Sequence, residues 1–526
     1  MSGGTQEERD ASWRPRGNRW VIAVVVTLAA FMEVLDTTIV NVSLPHIAGS
    51  VAASYDEATW TLTSYLIANG IVLPISGWIG RLVGRKRYFL ICIAMFTACS
   101  FLCGMATSLG EMIIFRLLQG FFGGGLQPNQ QSIILDTFEP AQRGRAFSIV
   151  AVAVIVAPIV GPTLGGWITD NYSWRWIFLI NLPVGVFTFF AVARLVEDPP
   201  WVVREHKYGD KRVDYIGLGL IALGLGCLEV MLDRGEDNDW FGSPSIVMFA
   251  FLAFAGIAGA IGWLLYTDKP VVDLRVYADR NFAVGSLVIF AIGAILYSSA
   301  VLIPQLAQQH LGYTALLAGL LLSPGALLVV FLIPIVGKVL LPHVQTRYII
   351  AFGFFSLGCA LLYAHRLTPN IDFFTLATIR AAQTFGLAFL FVPNSTITYS
   401  TLPKELNADA SALYTMLRNI AGSVGISLST AMVAEQTQVH RAYLAEHLTP
   451  FSQPYQHLLS QYSETLRSLG ESANGALGMI NQTLNQQAAI LAYLDVFLVC
   501  AIAAFCVVPF AFLFRPSISG GEPAGH

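Results

Sequence analysis

Apolar runs of about 20 residues, separated by short polar segments, follow one another along nearly the whole chain. A helix rises about 1.5 Å per residue, so roughly 20 apolar residues cross a hydrocarbon core about 30 Å thick. The pattern predicts spans near 20–45, 58–80, 88–107, 110–134, 145–168, 175–196, 213–232, 244–266, 282–304, 313–337, 347–365, 372–397, 408–433 and 489–514. Fourteen such helices describe an all-α membrane protein, and an even number returns both ends of the chain to one side. The longest polar interval, 434–487, is rich in Gln, Ser and Leu, with helical patches such as 455–469. It reads either as a solvated cap or as a docking surface, since loops of this length are commonly functional or disordered.

The exceptions to the apolar pattern carry the chemistry. In the first span, Trp20 to Pro45, Glu33 and Asp36 sit deep among apolar residues. Their i, i+3 spacing places both on one helical face. Ionisable groups at membrane depth are costly and mark transport or proton pathways, so this face is expected to line a wet cavity as a protonatable site. The structural alternative is that Asp36 pairs with a buried Arg while Glu33 is hydrated. Arg116, Arg380 and Arg418 also fall inside spans, as does Glu229. Arg116 needs a partner because a guanidinium stays charged, and Asp36 is the natural candidate. Glu229 and Asp233 lie i, i+4 near the outer end of their span, where Asp233 reads as a hydrated helix end.

Composition narrows the class. The chain is 55% hydrophobic and 12% charged, with mean hydropathy +0.62, whereas a soluble domain carries about 25% charged residues. The polar first 19 residues and the long run after them do not look like a cleavable signal. The seven cysteines all lie in apolar runs, so neither a disulfide framework nor a metal site is expected. With the N-terminus cytoplasmic, about 22 Lys and Arg fall inside and about 5 outside, the bias that the positive-inside rule demands. Topology therefore explains the basic residues without nucleic acid. No GxxxxGK[ST] occurs, so ATP is not the energy source by that motif; no cofactor and no enzyme domain are expected.

The chain also repeats itself. Pro74, Gly77 and Arg87-Tyr88 match Pro334, Gly337 and Arg347-Tyr348; Arg116 and Gln119 match Arg380 and Gln383; Pro128-Asn129 match Pro393-Asn394, all at an offset near 260–265. A parallel duplication of a six-helix unit is a known transporter plan. It gives a cytoplasmic tail at 1–19, a six-helix bundle at 20–196 and an inserted helical pair with its flanking loops at 197–270. A second six-helix bundle follows at 271–514, including the outer loop 434–487, and a cytoplasmic tail at 515–526 closes the chain. Arg418 has no counterpart in the first half, where Val154 aligns, and its partner is not assigned.

Four motifs carry a family resemblance. Leu35 to Pro45 resembles the antiporter motif LDxTxxNVALP, with Asp36 at its acidic position. Gly77 to Lys86, with Gly84, Arg85 and Lys86, resembles the cytoplasmic loop GxLADRxGRK. Arg81 replaces that loop's Asp, which leaves open the charge latch this Asp forms with a neighbouring helix. Arg116 to Gly120 resembles RxxQG. Ala157 to Gly166, with Pro158, Gly161, Pro162, Gly165 and Gly166, resembles GxxxGPxxGG. Small residues four apart let helices approach closely, and the prolines permit a bend. From about Trp20 to Phe514 the sequence resembles the major facilitator superfamily and, within it, the fourteen-span drug/proton antiporters of the EmrB/QacA type. The likeness is nearest to the EmrB-type multidrug exporters of Gram-negative bacteria.

The resemblance implies the major facilitator fold and a proton-driven exporter of hydrophobic or amphipathic compounds in a bacterial inner membrane, with both termini cytoplasmic. It implies proton coupling through Asp36 and Arg116, to which Glu33 adds a second carboxylate, and a leak-sealing role for the Pro158–Gly166 segment. Its expected partners are small drugs, protons, the lipid bilayer, and a periplasmic membrane-fusion adaptor with an outer-membrane channel beyond it. The alternative is a proton-coupled exporter of one dedicated metabolite, antibiotic or siderophore.

Overall fold

The computed structural model describes residues 13, 15–201, 213–368, 371–449, 451–468 and 475–515. Most of both expected tails and the loop residues 202–212 lie outside the described residues. The first half contains α1 (Arg19–Ser50), α2 (Trp60–Val83), α3 (Arg85–Met105), α4 (Leu109–Gly123), α5 (Leu126–Thr137), α6 (Pro140–Asn171) and α7 (Asn181–Leu195). Next come α8 (Tyr215–Arg234) and α9 (Pro244–Tyr266), then α10 (Arg280–Gln309), α11 (Ala315–Ile335), α12 (Thr346–His365), α13 (Phe373–Ala388) and α14 (Phe391–Thr398). The chain ends with α15 (Asn407–Glu446), α16 (Gln453–Ser468) and α17 (Gly475–Val507).

Local chemistry sets the helix starts. Asn18, Ser108, Asp214 and Asp279 each accept a hydrogen bond from a backbone N–H in the first turn of α1, α4, α8 and α10, satisfying donors that a helix leaves free at its N-terminus. Gly84 alone joins α2 to α3, with φ of 94°. A side chain would be strained there, and glycine is not.

Among the described residues, twelve helices are long and apolar enough to cross a membrane. Two expected spans are not of that kind. Residues 110–134 are divided between α4 and α5 at Gly124-Gly125, and 408–433 lie on α15, where many buried polar residues interrupt the apolar ones. The interval 434–487 is not a loop for most of its described length. α15 runs on to Glu446, α16 occupies 453–468, and α17 begins at Gly475. The helical patch expected near 455–469 is α16; the extended ends of α15 and α17 were not expected, because a helix can continue without an apolar run.

Helices α1–α7 pack among themselves, α1 against α6 and α2 against α4. Helices α10–α17 do the same, α10 against α15 and α11 against α13. The groups meet where α6 lies on α11 and α2 on α15. Helices α8 and α9 form a hairpin, in which α8 rests on α2 and also touches α15. Many outward side chains are large and apolar, among them Phe187, Phe190, Phe251, Phe254 and Phe331, as a lipid-facing surface requires.

Candidate functional site

Asp36, at the middle of α1, and Arg116, on α4, are both fully buried. Arg116 Nη1 donates to Asp36 Oδ2 at 2.6 Å. Asp36 Oδ1 accepts from Gln119 Nε2 at 3.0 Å and from Asn181 Nδ2, at the start of α7, at 2.8 Å. Arg116 also donates to the Thr61 carbonyl at 3.1 Å and to Gln119 Oε1 at 2.8 Å, and its guanidinium lies over the Tyr65 ring, 4.2 Å from the centroid. Attraction between unit charges at this range offsets their desolvation only when the remaining polar atoms are also bonded. Here three donors hold the carboxylate, while Arg116 Nη2 is buried without a hydrogen bond.

Glu33 is also buried but sits differently. One turn before Asp36, its Oε1 accepts from Asn69 Nδ2 of α2 at 3.0 Å, and its Oε2 is buried without a hydrogen bond. Both carboxylates thus face protein, yet only Asp36 is held by an arginine.

Arg418, on α15, donates through Nη2 to Gln127 of α5 and, at 3.3 Å, to Asn419 Oδ1. It therefore links the two helix groups, and its Nε and Nη1 have no hydrogen bond. Arg380, on α13, donates to Ser299 Oγ of α10 at 2.8 Å. Glu229, on α8, accepts from Ser423 Oγ of α15 at 3.0 Å, and a Cβ at Gly70 would lie 3.4 Å from its Cγ. Asp233 is exposed and accepts from the Thr63 hydroxyl.

The glycine motif on α6 packs beside the acidic motif on α1. A Cβ at Gly165 would lie 2.9 Å from the Ile39 carbonyl, and one at Gly161 would lie 2.9 Å from Thr38 Cβ. Pro158 and Gly166 are buried and Pro162 half-buried, all within the unbroken 32-residue helix α6. At the end of the molecule where α2 meets α3, a Cβ at Gly77 would meet Ala408 of α15 at 3.0 Å. Arg81 Nη1 reaches Asp409 Oδ2 at 2.5 Å, Arg85 pairs with Asp136, and Lys86 Nζ donates to the Ala193 carbonyl at 2.7 Å. A charge latch is thus present although Arg81 replaces the motif's acid: the basic partner stands on α2 and the acid on α15. Ser132 and Ser411 (2.7 Å), Tyr399 and Gln131 (3.0 Å), and Asn407 and Asp136 (3.3 Å) tie the two groups together at the same end.

Sequence reasoning passed over Asn69, Gln127, Asn181 and Ser299. A search for amides and hydroxyls inside apolar spans, alongside charges, finds all four, since such groups need partners wherever they are buried. Among the described residues, no group of three or more His, Cys, Asp or Glu is placed to hold a metal ion.

Among the described residues, two mutually packed helix groups and a helical hairpin hold twelve helices long and apolar enough to cross a membrane, and the groups meet over buried, partly unbonded charges, the plan of a membrane transporter. The Major Facilitator Superfamily model matches residues 26–426, and the chain belongs to that family. It is 37% identical over 506 residues to the multidrug export protein EmrB of Escherichia coli (strain K12), covering 96% of this chain and 97% of that protein. It is 39% identical over 446 residues to the EmrB of Haemophilus influenzae, covering 84% of this chain and 86% of the other. The fatty acid resistance protein FarB of Neisseria gonorrhoeae is 35% identical over 508 residues, covering 96% and 98%. In fold, the chain is similar to the crystal structure of the human organic anion transporter MFSD10, with a TM-score of 0.53, 11% identity, and coverage of 95% of this chain and 100% of that one.

Proposed function

We propose that this protein is a proton-driven exporter of hydrophobic or amphipathic compounds, a multi-pass antiporter of the bacterial inner membrane that works by alternating access. The observation that carries the reading is the buried Asp36–Arg116 pair with the incompletely bonded Glu33 one helical turn away. In this reading Asp36 and Glu33 take up protons from the outside, and Arg116 stays paired with Asp36 until its own contacts change. A carboxylate in a low-dielectric site binds a proton more readily, while a neighbouring guanidinium opposes this. Rearrangement of one helix group against the other shifts that balance, so proton entry and substrate exit share one conformational change.

The rest of the molecule is assigned accordingly. The chain crosses the membrane fourteen times, as bundles at 20–196 and 271–514 with α8 and α9 as an inserted pair, and both termini are cytoplasmic. α4 with α5, and α15, then supply the two spans expected near 110–134 and 408–433. The Arg81–Asp409 contact closes the cytoplasmic end, Gly84, Arg85 and Lys86 form its tight loop, and the Pro158–Gly166 segment seals α1 against α6. Outer helix α16 with the extended ends of α15 and α17 presents the surface for a periplasmic membrane-fusion adaptor, which leads to an outer-membrane channel. The test of export is a susceptibility panel in an efflux-deficient host expressing the protein. Raised tolerance to several amphipathic compounds, lost when an uncoupler is added, is expected. Tolerance that survives the uncoupler contradicts the proton-driven reading, and tolerance to a single compound contradicts the breadth.

A further inference from the structure

The two helix groups carry the same donors without the same acceptor. In the first, Arg116 and Gln119 on α4 converge on Asp36. In the second, Arg380 and Gln383 occupy the matching positions on α13, and the residue that meets Arg380 Nη1 is Ser299, at 2.8 Å. Gln383 Oε1 turns towards Arg380, at 3.5 Å, as Gln119 Oε1 turns towards Arg116. This leaves the Gln383 amide nitrogen without an acceptor, and Arg380 Nε and Nη2 are likewise unbonded. Arg380 and Gln383 are both fully buried, and among the described residues no carboxylate lies within 4.0 Å of Arg380. Three orphaned donors and one uncompensated charge therefore gather between α10 and α13. A native interior rarely leaves such groups unmatched.

We propose that the Arg380–Gln383–Ser299 cluster is a binding site for a monovalent anion, with a carboxylate as the best-shaped occupant. Nε and Nη2 form one edge of the planar guanidinium, and that edge grips both oxygens of a carboxylate through parallel hydrogen bonds. The Gln383 amide adds a neutral donor, while Ser299 occupies Nη1 and fixes the plane. The anion supplies from outside the charge that Asp36 supplies covalently in the first group. Two sources share this chemistry: a free small anion, or the carboxylate head of a transported amphipath. The donor arrangement alone defines the site, whether or not Asp36 carries protons.

The test is thermal unfolding of the full-length protein in nanodiscs at constant sodium concentration. Gluconate, too bulky for a closed site, is replaced in turn by chloride, acetate and octanoate. A ligand that binds only the folded state raises the melting temperature saturably. A saturable rise with chloride or acetate identifies a free anion as the occupant; a rise with octanoate alone identifies an amphipath's head. Arg380→Gln should abolish the response and, lacking the stranded charge, should melt in gluconate no lower than the wild type. Ser299→Asp builds in the counter-charge and should weaken anion binding at least tenfold. If none of the three anions raises the melting temperature, or if Arg380→Gln responds as the wild type does, the site does not exist. If Ser299→Asp leaves anion binding undiminished, Arg380 is not its centre.

Discussion

At the scale of single residues, the mechanism turns on which buried charge is matched and which is not. Truncating Arg116 to Ala strands Asp36 in the interior, and breaking a buried pair from one side costs about 3–5 kcal/mol. Arg116→Ala should therefore melt well below the wild type, Arg116→Lys should lose less, and Asp36→Asn combined with Arg116→Ala should recover much of the deficit. Thermal melts of the four proteins check this, and a double variant no more stable than Arg116→Ala would deny the pairing any energetic weight. Glu33→Gln keeps the volume and the Asn69 contact, so it should fold normally and alter the number of protons released per substrate without ending transport. The need for an Arg116 partner was legible in sequence, because an arginine inside an apolar run demands a counter-charge. The contact between Arg418 and Gln127 was not, because the two residues are 291 positions apart and a neutral amide gives no such demand.

At the scale of helices, close approach and the latch make separate predictions. Gly165 lies so near the α1 backbone that Gly165→Val must push α6 away from Ile39. Overpacking of this kind costs about 1–3 kcal/mol, and here it separates the two motifs the mechanism uses. A melting point lowered on that scale, together with proton leak in the absence of substrate, is the expected result in reconstituted vesicles. The latch predicts that Arg81→Asp impairs transport by placing an acid against Asp409, and that adding Asp409→Arg restores it. Transport by the swapped pair as poor as by Arg81→Asp alone would show that the contact does not serve the cycle. The glycine spacing announced a tight helix contact in the sequence, since four-residue intervals lie on one helical face. Which helix approached it was fixed only by the fold. The inverted latch was hidden for a related reason: Asp409 lies in a polar stretch that resembles an ordinary helix start, and only the packing of α15 on α2 brings it to Arg81.

For the whole molecule, the twelve long apolar helices and the helical patch that is α16 were legible, but not the division of α4 from α5 or the extended ends of α15 and α17, whose residues obey helix propensity rather than membrane thickness. Those helices give a prediction of their own. Replacing 447–474 with a short Gly/Ser linker should leave transport in vesicles intact, because changing loop length costs little, and should lower tolerance in cells if these helices dock the proposed adaptor. Equal tolerance in cells would mean that the outer helices only cap the protein. The central claim is that substrate leaves in exchange for protons carried at Asp36. Its most direct test is substrate-induced proton release from the purified protein, followed with a pH-sensitive dye, using a compound that the susceptibility panel identifies. The account predicts release that saturates with substrate in the wild type and is lost in folded, substrate-binding Asp36→Asn. Wild-type release from that variant would contradict it.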